Sequence, residues 1–213
     1  MQAPYRPFQT VVMWLLLFGA TLIAACSNAL ETIEPGATIT DYVVVDTFNK
    51  VDISRALNLT INVGEATDTV KLVVSEGFLP YMEVYVEDGT LILSVDDKVD
   101  ISNMQSNFIT ITVPALERIT ASGASRVITT DTMEVATLNL SYSGASIGNL
   151  MVNAITLNLE ASGASLFEFS GFADTFNAKP ISGASIVQGF DLVTRICNVD
   201  ASAATKHSPC FRP

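Results

Sequence analysis

The chain has 213 residues, 22 acidic against 11 basic, and a net charge of −11. Such a balance argues against nucleic acid and anionic lipid headgroups as direct partners, because both need a cationic footprint. One histidine and three cysteines leave no His/Cys cluster for zinc and no cysteine-rich scaffold.

In chain order, the first element is an uncharged apolar run, Val11 to Ala25, with Arg6 as the only charge before Glu31. It is short for a membrane span and has the layout of a secretory signal. It ends in LIAAC, where Ala24 and Ala25 before Cys26 resemble a bacterial lipobox. Residues 1–25 are therefore expected to be a lipoprotein signal peptide, with Cys26 the lipid-bearing first residue. An ordinary signal peptide with an incidental cysteine and an uncleaved anchor stay open. Loss of Arg6 leaves 22 acidic and 10 basic residues, a mature charge of −12. A multi-chain lipid group would hold the protein stably at a membrane surface. Ser27, in place of an aspartate, is compatible with the outer membrane of a two-membrane cell or the outer face of a single one.

Residues 26–40 read as a polar tether containing Pro35 and Gly36. A single domain is expected over 41–205. Its first part alternates: DYVVVDTF, LNLTINV, DTVKLVV, MEVYVEDGTLILSV and FITITVP are strand signals. Asp88-Gly89 between two alternating runs predicts a hairpin. Residues 41 to about 113 should therefore be β and partly antiparallel.

From about Ile119 a repeat takes over. Ser-Gly-Ala-Ser starts at Ser122, Ser143, Ser162 and Ser182, and a weaker ASAAT copy at Ser202. Asn139, Asn158, Asn177 and Asn198 keep nearly the same period. Two independent marks on one period near 20 residues predict a solenoid, one rung of a parallel β-helix per repeat. Alternation sends Leu138, Leu140, Leu157, Leu159, Phe176, Ala178, Cys197 and Val199 inward. Cys197 is then expected as a buried free thiol, although export would permit a bond to Cys210. The four asparagines form an outward ladder. Ser141, Glu160, Lys179 and Asp200 form a second outward column, with weak cross-rung ion pairing. Phe167, Phe169, Phe172 and Phe176 are expected in the core. The turns Ser122-Gly123, Ser143-Gly144, Ser162-Gly163 and Ser182-Gly183 read as stacked corners. Glycine supplies the unusual backbone angles, alanine fits the crowded bend, and serine bonds nearby backbone. Residues 206–213 read as an irregular tail. The chain stops mid-solenoid, and truncation explains this more simply than a partner-covered edge.

The repeated corners, together with the segment from FNKVDIS to GTLILSV, resemble the auto-transporter adhesin head domain family, also called the GIN domain. The resemblance covers about residues 41–205. It implies an exported protein, often a lipoprotein, with a right-handed parallel β-helix, and brings no established activity with it. Family members more often carry aspartate after the tetrapeptide. Arg126, Ile147, Leu166 and Ile186 stand there in this chain.

Catalysis is the weakest reading. Glycoside chemistry needs converging carboxylates, whereas Asp131, Glu134, Glu160, Glu168, Asp174, Asp191 and Asp200 occupy different phases of the repeat. The corner serines have no candidate base nearby, and His207 stands alone in the tail. No metal or cofactor is expected. The expectation is a non-catalytic envelope lipoprotein that binds a glycan or another envelope protein through the asparagine ladder, with the membrane reached through its lipid. A structural envelope scaffold is the alternative, and a polysaccharide-degrading β-helix enzyme a weaker one.

Overall fold

The computed structural model describes residues 30–201 and 206–207. Cys26, Ser202 and Cys210 lie outside them. The strands are β1 (Glu31–Thr32), β2 (Thr38–Val44), β3 (Lys50–Ile53), β4 (Asn58–Val63), β5 (Thr69–Ser75), β6 (Met82–Glu87), β7 (Thr90–Val95) and β8 (Val99–Asp100). They continue with β9 (Asn107–Val113), β10 (Arg118–Ala121), β11 (Arg126–Thr129), β12 (Met133–Tyr142), β13 (Ile147–Ala161), β14 (Leu166–Ile181), β15 (Ile186–Ala201) and β16 (Lys206–His207). A 3₁₀ turn, Glu76–Tyr81, separates β5 from β6. The fold is all-β. Fourteen strands join into one nearly closed, barrel-like sheet, and β1 with β8 forms a second, two-stranded one.

The N-terminal part is mixed, as alternation predicted. β2 pairs antiparallel with β5, β5 with β9, and β6 with β7. Asp88 and Gly89 have φ of 49° and 71°, the two positive values of a type I′ hairpin. The segment expected as a free tether is docked from Glu31 onward. Glu31 lies on β8, Ile33 is buried, and the Ile33 carbonyl accepts a hydrogen bond from Asn103 Nδ2 at 2.6 Å.

The repeat part pairs in parallel throughout. Leu138 aligns with Leu157, Leu157 with Phe176, and Phe176 with Cys197. The leucines, Phe176 and Ala178 are buried, while Cys197 and Val199 are half-buried. Cys197 is disulfide-bonded, which corrects the expected free thiol. Lys206–His207 continue the ladder on Ile186–Val187. In the core, Tyr142, Phe167, Phe169 and Phe176 pack in sequence, with ring centroids 4.8, 5.9 and 5.8 Å apart. Phe172 departs from the expected core position, being 39% exposed.

The corners show why the tetrapeptide recurs. The second serine of each is buried, and its hydroxyl donates to the carbonyl of the first. Ser125 reaches Ser122 at 2.7 Å, Ser146 reaches Ser143 at 2.8 Å, Ser165 reaches Ser162 at 3.1 Å and Ser185 reaches Ser182 at 3.0 Å. Glycine meets two demands at once. Gly163 has φ +78°, and a Cβ there would lie 2.4 Å from the Gly144 carbonyl oxygen of the corner below. The crowding therefore falls on glycine, and the alanines, expected in the crowded bend, face solvent.

The repeat begins earlier than its motif. Ser54-Arg55-Ala56-Leu57 links β3 to β4 and stacks on the Ser122 corner, with Ala56 N–H donating to the Gly123 carbonyl at 2.9 Å. Arg55 and Ala56 carry φ of 61° and 58°. The rung made by β3 and β4 lies between that of β7 and β9 and that of β10 and β11. Rung order thus departs from chain order at this end.

Candidate functional site: the asparagine ladder

Strands β12 to β15 hold alternate residues inward, so the residue between two buried leucines must point out. In β12 and β13 that residue is Asn139 or Asn158. Parallel register then places Asn139, Asn158, Asn177 and Asn198 in one column. Each amide nitrogen donates to the amide oxygen one rung below. The three steps, Asn158 to Asn139, Asn177 to Asn158 and Asn198 to Asn177, all measure 2.9 Å. At the foot, Asn139 Nδ2 donates to the Glu117 carbonyl at 3.1 Å. A primary amide has two N–H donors and two acceptor lone pairs. The ladder uses one donor of each asparagine, so the column keeps a second N–H per rung for solvent or a ligand.

The column extends beyond the asparagines. Arg118 lies in register with Asn139, and Lys50 with Arg118. Beside it runs a second column in which Asp52 aligns with Thr120, Thr120 with Ser141 and Ser141 with Glu160. Burial holds the Asp52 carboxyl above the usual carboxylate range. Between the columns lies a groove of about 310 Å³, lined by Arg118, Thr120, Asn139, Leu140, Ser141, Asn158 and Glu160.

The expected continuation of this second column does not form. The register shifts between Leu159 and Ala161 and again between Ala178 and Ile181, so Lys179 and Asp200 fall at an irregularity. Pro180, the extra residue here, has no N–H to give a ladder. Among the described residues the one ion pair joins Arg195 to Asp174 at 3.5 Å, and the acid-base-acid pairing is absent.

Two further features were not anticipated. Across the corner, Asn149 Nδ2 donates to Glu168 at 2.9 Å, and Asn153 Nδ2 to Glu134 at 2.6 Å. Both pairs are 19 residues apart, so the repeat period alone could have revealed them. A larger concavity of about 740 Å³ surrounds Ser54, Arg55, Ser94, Asp96 and Ser122. Here Arg55 Nη2 donates to the Asp96 and Val99 carbonyls, and Ser54 Oγ to Ser94 Oγ at 2.9 Å. Its Nη2 is thus held by two backbone carbonyls of the β7–β8 segment, and we place the candidate site at the ladder.

An all-β domain of stacked parallel strands, with its outer face carrying a continuous amide column, is a repeat-built domain. The chain belongs to the family described as "Putative auto-transporter adhesin, head GIN domain", whose sequence pattern matches residues 47–209. Solved structures share its fold. A "putative adhesin" from Parabacteroides distasonis superposes with TM-score 0.68 at 13% identity, over 83% of this chain and 84% of that one. A "putative adhesin" from Bacteroides fragilis gives TM-score 0.63 at 18% identity, over 83% and 98%. A "putative lipid binding protein" from Parabacteroides distasonis gives 0.67 at 14%, over 83% and 83%. No curated protein matches the chain in sequence.

Proposed function

We propose that this protein is an exported, lipid-anchored adhesion module of the cell envelope, non-catalytic, that binds a glycan or protein ligand along the asparagine ladder. Its repeat part is a right-handed parallel β-helix on this reading, and Cys26 carries the lipid. The observation that carries the function is the ladder itself. Four amides are fixed in line by mutual hydrogen bonds, each with an unused N–H, beside a polar groove. A pre-ordered row of donors and acceptors costs little further entropy when a repeating polymer docks. Family membership supports the adhesion role, and the disulfide at Cys197 suits an oxidising compartment outside the cytosol.

Residues 27–213 displayed to a glycan array test this reading: specific binding supports it, and silence on every glycan removes the glycan branch. Labelling cells with a clickable fatty acid tests the anchor. Label lost in Cys26→Ala supports it, and label retained there, or absent altogether, contradicts it.

A scaffold role is the second reading. It is favoured by the outer face of β2 and β9, where Tyr42, Val44 and Phe108 are 61%, 73% and 54% exposed. Co-purification of envelope proteins that is lost in Tyr42→Ser/Phe108→Ser would support it.

A further inference from the structure

We propose that the groove at the foot of the ladder takes a carboxylated sugar unit of a polysaccharide, with the carboxylate on Arg118. The inference rests on the glycan-binding reading and narrows its ligand class.

Arg118 is exposed on β10 and one rung below Asn139, while Lys50 is one rung below Arg118. Two cations thus continue the amide column, at a rung spacing of about 4.8 Å. No carboxylate among the described residues pairs with Arg118, since the one ion pair there is Arg195 with Asp174. Among the described residues Lys50 reaches only the Asp88 carbonyl, at 3.5 Å. In a chain of net charge −11, a guanidinium left unpaired in a groove is a local site for an anion. The planar fork of arginine matches a carboxylate in two parallel hydrogen bonds.

The rest of the groove suits the rest of a sugar. Thr120 and Ser141 present hydroxyls, and Asn139 and Asn158 their spare N–H groups. Glu160 lines the far end, two rungs up from Arg118 in the adjoining column. It can accept hydrogen bonds from ring hydroxyls, and it repels a second carboxylate. Asp52, beside Thr120, keeps the flank of the foot from being a general polyanion site. The groove therefore has a direction: the acidic unit at Arg118 and Lys50, and neutral, hydroxyl-rich units along the asparagines.

The test uses a galacturonic acid oligomer and its fully methyl-esterified counterpart, which keeps the hydroxyls and loses the charge. Titration calorimetry with residues 27–213 at low salt should show the acid form binding about tenfold or more tightly, the gain expected of a charge-assisted pair. Arg118→Gln should remove that preference while leaving thermal stability unchanged. Arg118→Lys should keep part of it. Glu160→Gln should tighten the acid form, and Asn158→Ala should weaken both forms alike. Equal binding of acid and ester, unmoved by Arg118→Gln, overturns the carboxylate assignment and leaves the ladder reading standing. Binding of neither form overturns the assignment, and the glycan array then decides the ladder separately.

Discussion

Asn158 donates from Nδ2 to Asn139 Oδ1 at 2.9 Å and accepts, at its own Oδ1, the Nδ2 of Asn177 at the same distance. One side chain thus joins three rungs. Asn158→Ala removes two hydrogen bonds at a half-buried position. At roughly 1 kcal/mol for each bond, about 1–2 kcal/mol of stability should be lost, a fall in melting temperature of about 2–8 °C. Asn198→Ala removes one bond at the exposed end and should cost less. Scanning calorimetry checks the ranking, and an equal or larger loss for Asn198→Ala contradicts it.

The corners give a sharper contrast between neighbours. Gly163→Ala places a Cβ 2.4 Å from the Gly144 carbonyl oxygen, at φ +78°. It should cost about 2–4 kcal/mol, since both the backbone angle and the contact below are violated. Ala164→Ser, one residue on, faces solvent and should stay within about 0.5 kcal/mol of the parent. Urea unfolding of the two variants reads the difference directly.

Tyr142 supplies a pH-dependent test. Its hydroxyl is fully buried and has no hydrogen-bond partner among the described residues. Burial raises its pKa far above the ordinary tyrosine value. A pKa raised in the folded state gives stability that is present below about pH 10 and is lost as pH climbs further, because the unfolded chain releases the proton first. Tyr142→Phe removes the unpaired hydroxyl and keeps the ring against Phe167. It should hold or raise stability at pH 7 and flatten the decline between about pH 10 and 11. Half-buried Tyr81, hydrogen-bonded to Glu31, is also raised and leaves a residual slope. An unchanged alkaline decline in the variant would contradict this assignment.

The disulfide at Cys197 can be read chemically. If Cys26 carries the lipid, Cys210 is the cysteine left to pair with Cys197. Non-reducing peptide mapping should recover the Cys197 and Cys210 peptides joined. A free Cys197 thiol in the exported protein would contradict the bond.

Much of this architecture was legible in alternation and period. Leu138, Asn139 and Leu140 fix an inward-outward register that parallel pairing then propagates to Leu157, Asn158 and Leu159. Asp88-Gly89 announced its hairpin by residue type alone. The first corner stayed hidden because its chemistry is different. Arg55 and Leu57 stand where the later corners have glycine and the second serine, and Asn107 Nδ2 donates to the Ala56 carbonyl at 2.7 Å to help hold the turn. Arg55 is also far in sequence from the corner it stacks on, so no period connects them. The failure at Lys179 has a local cause in the extra residue between Ala178 and Ile181, which shifts the register just where the charge column was to continue. The cations at the foot of the ladder were missed for a related reason. Arg118 and Lys50 precede the first repeated asparagine, and only the rung order brings them into its column.

The central claim is that the asparagine column is a binding surface as well as a stabilising one. Its most direct test is the affinity of residues 27–213, unaltered and as Asn158→Ala/Asn177→Ala, for the glycan that binds most tightly on the array, at a temperature where circular dichroism shows both folded. The account expects the double variant to bind at least about tenfold more weakly, from two lost hydrogen-bonding side chains at the contact. Equal affinity of the two folded proteins would contradict it and leave the ladder a purely structural device.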